Sequence, residues 1–133
     1  MTICNTFISH SWKHDNHYQK IVDFLNSDPT FKWEGYSIPI NDPVHTNGTD
    51  ADLRLKIDNH MKNSSVIILI AGVYASHSRW IDAEIDIAQK YNKPIITVLL
   101  WSAERSSDRA QSAATEVVAW QSNSIIQAIK RHL

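Results

Sequence analysis

The sequence predicts a single α/β domain of three layers, with a parallel five-stranded sheet between helices on both of its faces. Three observations predict it. Apolar runs rich in β-branched residues alternate with segments whose apolar positions recur every three or four residues, an alternation that favours parallel pairing through helical crossovers. Two of the runs, SVIILIAG (65–72) and KPIITVLLW (93–101), are almost unbroken by polar residues, as in strands covered on both faces. A chain of 133 residues is enough for one core that buries about two thirds of its unfolded surface, so residues 1–133 are read as one domain.

Taken in order, ICNTFIS (3–9) reads as a first strand ending at Ser9. Tyr18, Ile21, Val22 and Leu25 then recur at helical spacing behind a cap at His14 or Asp15, and Ser27-Asp28-Pro29 stops that helix. YSIPI (36–40) reads as a brief second strand, and Pro39 suits it to a sheet edge. NDPVHTNGTD (41–50) is the most loop-like segment by its Asn, Asp, Pro and Gly content. Leu53, Ile57, His60 and Met61 mark a second helix opened by Thr49 or Asp50. The third strand follows at SVIILIAG, then a helix over Ser78–Tyr91, and then the fourth strand at KPIITVLLW. The polar stretch 102–115 leads to a short last strand, EVVAW (116–120), and to an amphipathic closing helix over 122–133 capped by Ser122 or Ser124. Right-handed crossovers favour a flavodoxin-like strand order, 2-1-3-4-5.

One position in this pattern stands out. At about 100° per residue, Trp80, Ile81, Ala83, Glu84, Ile85, Ile87, Ala88 and Tyr91 share one arc of their helix, and Asp82, Asp86, Gln89 and Lys90 share the other. Glu84 falls near the middle of the apolar arc, with Trp80 one turn before it on the same face. In open α/β sheets ligands bind at the carboxyl ends of the strands. The residues found there come from SHSW (9–12), NDPVH (41–45), YASHSRW (74–80) and WSAER (101–105). Glu84 can look back into that rim as a ligand-facing acid. It can equally be a buried acid paired with Arg79, Lys13 or Arg105.

Other chemistries find no support. The three glycines, Gly35, Gly48 and Gly72, are too scattered for a P-loop or a dinucleotide fingerprint. A phospho-accepting receiver would place acids where Ser9-His10 and Ala71-Gly72 stand. Neither paired cysteines nor a His-Glu-x-x-His spacing accompanies His14 and His17, so no metal is expected. Cys4, the single cysteine, lies in an apolar stretch and reads as a small core residue. With a formal net charge of −1 and 20% charged residues, the chain carries no polybasic surface for nucleic acid or membrane. No apolar run approaches the roughly 18 residues a span requires, and a cytoplasmic location is expected.

The segments TFISHSWKHD, SSVIILIAGVYASHSRWIDAEIDIAQKYNKPIITVLLW and EVVAWQSNSIIQAIKRH together resemble the bacterial TIR-like domains of Thoeris antiphage defence, within the wider TIR superfamily. The resemblance runs over nearly the whole chain, and its most specific pieces are FIS at the end of the first strand and the W-x3-E of Trp80 and Glu84. It implies an enzyme that cleaves the nicotinamide–ribose bond of NAD, which is substrate rather than cofactor, with Glu84 as the catalytic acid. It implies nucleotide contacts from Ser9, His10, Ser11 and Trp12 and from Asn41 and Asp42, with Trp80 as companion of Glu84; Tyr74 and Ser78, which follow the third strand, are expected to bind substrate from the same rim by strand order. It further implies a cyclic or conjugated ADP-ribose messenger that reaches a separate effector by diffusion, and a site completed by self-association or by a phage-derived trigger. A non-catalytic TIR-like adaptor or a nucleotide-binding sensor, acting through protein assembly, is the alternative reading. The segment after the second strand, PINDPVHTNGTD, is shorter and more acidic than the glycine- and base-containing loop of many TIR domains.

Overall fold

Five parallel strands hydrogen-bond in the order β2-β1-β3-β4-β5, as the alternating pattern predicts. The computed structural model describes residues 3–9, 16–36, 49–71, 79–99 and 112–132. The strands are β1 (Cys4–Ile8), β2 (Trp33–Gly35), β3 (Val66–Ala71), β4 (Ile95–Leu99) and β5 (Glu116–Val118). The helices are α1 (Asn16–Asn26), α2 (Asp50–Met61), α3 (Arg79–Lys90) and α4 (Ser122–Arg131).

β3 is the spine. It pairs with β1 from Thr6↔Val66 to Ile8↔Ile68 and with β4 from Ile67↔Ile95 to Ala71↔Leu99. Val66, Ile67, Ile68 and Leu69 are all fully buried, so successive side chains, which point to opposite faces, both meet helices. α1 packs with α4 on one face and α2 with α3 on the other. On the first face Ile21 and Leu25 of α1 and Ile125, Ile126 and Ile129 of α4 are buried in the core. Phe24 meets Trp120 edge to face there, with ring centroids 5.4 Å apart.

The second face holds α3 through its apolar side and through polar contacts along its carboxyl-terminal half. Ile81, Ala83, Ile85 and Ala88 are at most 1% exposed, while Asp82, Asp86, Gln89 and Lys90 face solvent, in agreement with the periodicity. Arg54 of α2 reaches Asp86 at 3.2 Å, and Lys90 reaches Asp58 of α2 at 2.8 Å. The hydroxyl of Tyr91 donates to the same Asp58 carboxylate. Lys90 and then Tyr91 hold the Asp58 carboxyl below the usual carboxylate range. α3 ends in a tight reversal in which Asn92 takes φ 54°. The N–H of Asn92 donates to Gln89 O at 3.1 Å and that of Lys93 to Ala88 O at 2.9 Å. This is a Schellman motif, where Asn is the best substitute for Gly in the left-handed region.

The last strand ends at Val118 rather than at 120, and larger differences from the predicted elements concern the second strand and the cap of the closing helix. The second strand is Trp33–Gly35, three residues before YSIPI; it is fixed by its partner β1, pairing Cys4↔Trp33 through Thr6↔Gly35. Tyr36 adds a last ladder bond from its N–H to Thr6 O at 2.9 Å, and residues 37–40 lie outside the described residues. Trp33 anchors this edge by packing against the core and donating from Nε1 to Asn26 Oδ1 at 2.9 Å. In α4 the cap is Gln121, without a side-chain cap bond, and Ser122 is already helical, so neither Ser122 nor Ser124 caps it. The burial of Ile125, Ile126 and Ile129 sets where that helix begins. By contrast Thr49 caps α2 as predicted: its hydroxyl accepts from Asp52 N at 3.1 Å and Asp52 Oδ2 accepts from Thr49 N at 3.2 Å. The caps considered for the first helix, His14 and Asp15, lie outside the described residues.

Cys4 is a core residue at 1% exposure, and burial pushes its thiol up from the usual value against a bond from Thr6. No helix among the described residues is long and apolar enough to cross a membrane.

Candidate functional site

Ser9 is the first residue past β1, and the alternation along that strand puts it on the same face as Phe7. Its backbone is held by the sheet, since the N–H of Ser9 donates to Ile68 O at 3.0 Å. Glu84 is the sixth residue of α3, so it sits in the second turn, roughly 8 Å along the axis from the helix start. Three buried neighbours on α3, Ile81, Ile85 and Ala88, fix the face that turns inward.

These two placements bring the residues together across 75 positions of sequence. Ser9 Oγ donates to Glu84 Oε1 at 2.6 Å, and both residues are 0% exposed. The distance is that of a short hydroxyl-to-carboxyl hydrogen bond. Glu84 Oε2 is enclosed as well. A fully desolvated carboxylate at the carboxyl end of a parallel sheet is costly for stability. It is also where an acid interacts most strongly with charge that develops nearby, because water does not screen it.

Of the residues predicted for the site, the structure therefore unites Ser9 and Glu84. His10, Ser11, Trp12, Asn41, Asp42, Tyr74 and Ser78 lie outside the described residues, as does the side chain of Trp80, whose backbone opens α3. The cations weighed as ion partners of Glu84 (Lys13, Arg105 and the Arg79 side chain) lie outside them too. What sequence reasoning missed is the direct contact between Ser9 and the acid. Its trace was the shared parity of Phe7 and Ser9, which turns the hydroxyl toward the layer that carries α3.

Among the described residues, open hollows lie elsewhere. One, at the amino-terminal ends of the strands, is lined by Asn92, Lys93, Thr115 and His132 among others. Another flanks β5 and α4, with Val118, Asn123 and Gln127 on its walls. Neither contains Ser9 or Glu84. Among the described residues no group of His, Cys, Asp and Glu is arranged to hold a metal ion.

Solved structures share this architecture at low identity. A conserved protein from Enterococcus faecalis superposes with a TM-score of 0.69 at 12% identity, covering 99% of this chain and 100% of that one. The response regulator domain of Thermotoga maritima CheB gives 0.59 at 12% identity, covering 98% of this chain and 96% of that one. The Clostridium botulinum CMP N-glycosidase BcmB gives 0.53 at 16% identity, covering 96% of this chain and 98% of that one. At such identities the fold is what is shared; in this chain Ser9, and not an acid, follows the first strand. No curated protein matches the chain significantly in sequence. The family profile described as Thoeris protein ThsB, TIR-like domain, does match, over residues 7–105. That span begins inside β1 and includes both Ser9 and the helix that carries Glu84, and on it the chain belongs to the Thoeris ThsB TIR-like domain family.

Proposed function

We propose that this domain cleaves the nicotinamide–ribose bond of NAD in antiphage defence, with Glu84 as its catalytic acid group, and that the ADP-ribose moiety is released as a cyclic or conjugated messenger for a separate effector. The observation that carries the reading is the enclosed carboxylate of Glu84, held at 2.6 Å by the hydroxyl of Ser9 at the carboxyl end of the sheet. A helix with four solvent-facing polar positions had ample room for an acid outside.

The chemistry asks for one carboxylate. When the bond between the ribose anomeric carbon and the pyridinium nitrogen breaks, its electron pair goes to the nitrogen and nicotinamide leaves neutral. No general acid is required for such a leaving group, unlike the two-carboxylate sugar hydrolases. The ribose is left cationic. A carboxylate that accepts a hydrogen bond from a ribose hydroxyl and lies near the cation lowers the barrier. A carboxylate offers about four acceptor sites, so the bond from Ser9 occupies part of that capacity and a ribose hydroxyl can use another part. Water, or a nucleophilic atom of the same nucleotide where the product is cyclic, then captures the cation. The likeness to a protein named as a CMP N-glycosidase supports the reading at the level of the scaffold, since an N-glycosidic bond is also what joins nicotinamide to ribose. Fold alone does not establish activity, and the weight rests on Glu84.

With Glu84 at 0% exposure, a dinucleotide reaches it only through an opening of the site. We assign that opening to self-association or to a phage-derived trigger, so that the dilute protein alone is nearly silent. The test is incubation with NAD, with and without lysate of phage-infected cells, followed by quantification of free nicotinamide. Release by the wild type and its loss in a folded Glu84→Gln variant are expected. Equal release by the two proteins overturns the assignment of Glu84, and no release under any condition leaves the domain an adaptor or sensor.

A further inference from the structure

We propose that Ser9 is the positioning residue of Glu84, setting the orientation of the carboxylate without itself contacting the nucleotide. The inference rests on the NAD-cleaving reading for its catalytic consequence, and on the geometry for the contact. Three features point to it. Ser9 and Glu84 are both 0% exposed, so water does not compete for the bond between them. Its backbone N–H is tied to Ile68 O at 3.0 Å, which makes the donor part of the sheet and not of a loop. Its Oγ then stands 2.6 Å from Glu84 Oε1. A glutamate has three side-chain torsions, and burial alone permits several placements of its head group. A short bond from a rigid strand end selects one, and a displacement of about 1 Å in a catalytic group costs on the order of 100-fold in rate.

Ser9→Ala removes a single oxygen from this arrangement, and Ser9→Thr keeps a hydroxyl on a side chain suited to a strand. In triggered assays of nicotinamide release, Ser9→Ala is expected to lower kcat about 10–100-fold, the usual cost of losing a group that orients a catalytic one. KM for NAD should change by less than about threefold, because uniform binding is untouched. Ser9→Thr should recover part of the loss. A contact to the nucleotide would raise KM instead, and that result overturns the proposal, as does unchanged kcat in Ser9→Ala.

A second measurement does not depend on turnover. In protein carrying isotopically labelled glutamate, the carboxyl resonance of Glu84, identified by its disappearance in Glu84→Gln, is expected to move in Ser9→Ala and to stay close to its wild-type place in Ser9→Thr. An unmoved resonance in Ser9→Ala overturns the positioning role even if NAD is cleaved. A moved resonance in a wild type that releases no nicotinamide keeps the contact and removes the NAD reading. Thermal melts of each variant confirm that folded protein is being compared.

Discussion

Glu84 and Glu116 are two glutamates of one chain placed in opposite ways. Glu116, at the start of β5 on the sheet edge, has a quarter of its side chain exposed and is gripped by Arg131, with His132 Nε2 3.1 Å from Oε1. The bond from Arg131 holds its carboxyl below the usual glutamate range, against the opposing effect of burial. Glu84 is 0% exposed, and the hydroxyl of Ser9 donates to it at 2.6 Å. An acid kept for stability sits where solvent shares its charge and cations are at hand. An acid in the interior, on a helix whose Asp82 and Asp86 face outward, bears a desolvation cost that an outward position avoids, and this makes Glu84 the candidate for chemistry.

The comparison can be broken most directly by exchanging each acid for its amide. Glu84→Gln should lower triggered nicotinamide release by at least about 100-fold, the scale on which single transition-state contacts act. Glu116→Gln should leave release unchanged, and a comparable loss there would erase the distinction. Next in size is the platform under the catalytic candidate. Ile85 is 1% exposed beside Glu84, and Ile85→Ala should cost about 2–5 kcal/mol in chemical denaturation. A smaller cost would mean that α3 is not held by its core face.

Smaller again is the cap of α2. Thr49→Ala removes the reciprocal bonds with Asp52 and should cost about 1 kcal/mol with no effect on nicotinamide release. Last comes the pH dependence of the surface acid. Because the folded state lowers the Glu116 carboxyl, its contribution is present above the usual value near 4.5 and is lost as pH falls through the lower folded value. The difference in melting temperature between wild type and Glu116→Gln should therefore be small and positive at pH 7, shrink in concentrated salt, and vanish in acid. A difference that persists in acid would show that Glu116 acts through packing and not through charge.

Most of the scaffold was legible because it depends on periodicity, which is local. From Ile81 to Ala88 the inward arc of α3 agrees with its burial, Tyr91 is only partly buried, and the unbroken apolar runs of β3 and β4 became the covered centre of the sheet. The edges were read less well. β2 has one neighbour and three residues, so its position follows from the register with β1 and the anchor of Trp33, neither of which leaves a pattern in YSIPI. The start of α4 is set in the same way by the burial of its isoleucines, against the pull of two serines that look like caps. Asn92 was a signal left unread: Asn followed by Lys-Pro after an amphipathic helix is what a left-handed terminus with a Schellman reversal requires.

For the candidate site the division is sharper. The sequence by itself determined that an acid occupies the inward face of the third helix, because about 100° per residue permits no other reading of Glu84. Only the tertiary structure decided what meets that acid. The contact with Ser9 spans 75 residues and exists because β1 and β3 are neighbours in the sheet and α3 folds back over them. So does the clasp of Asp58 by Lys90 and Tyr91, which joins α3 to α2 across 32 and 33 residues. Periodicity tells each segment which side to bury; which partner waits on that side is fixed by strand order and crossover, and these emerge only when all five strands have found their places.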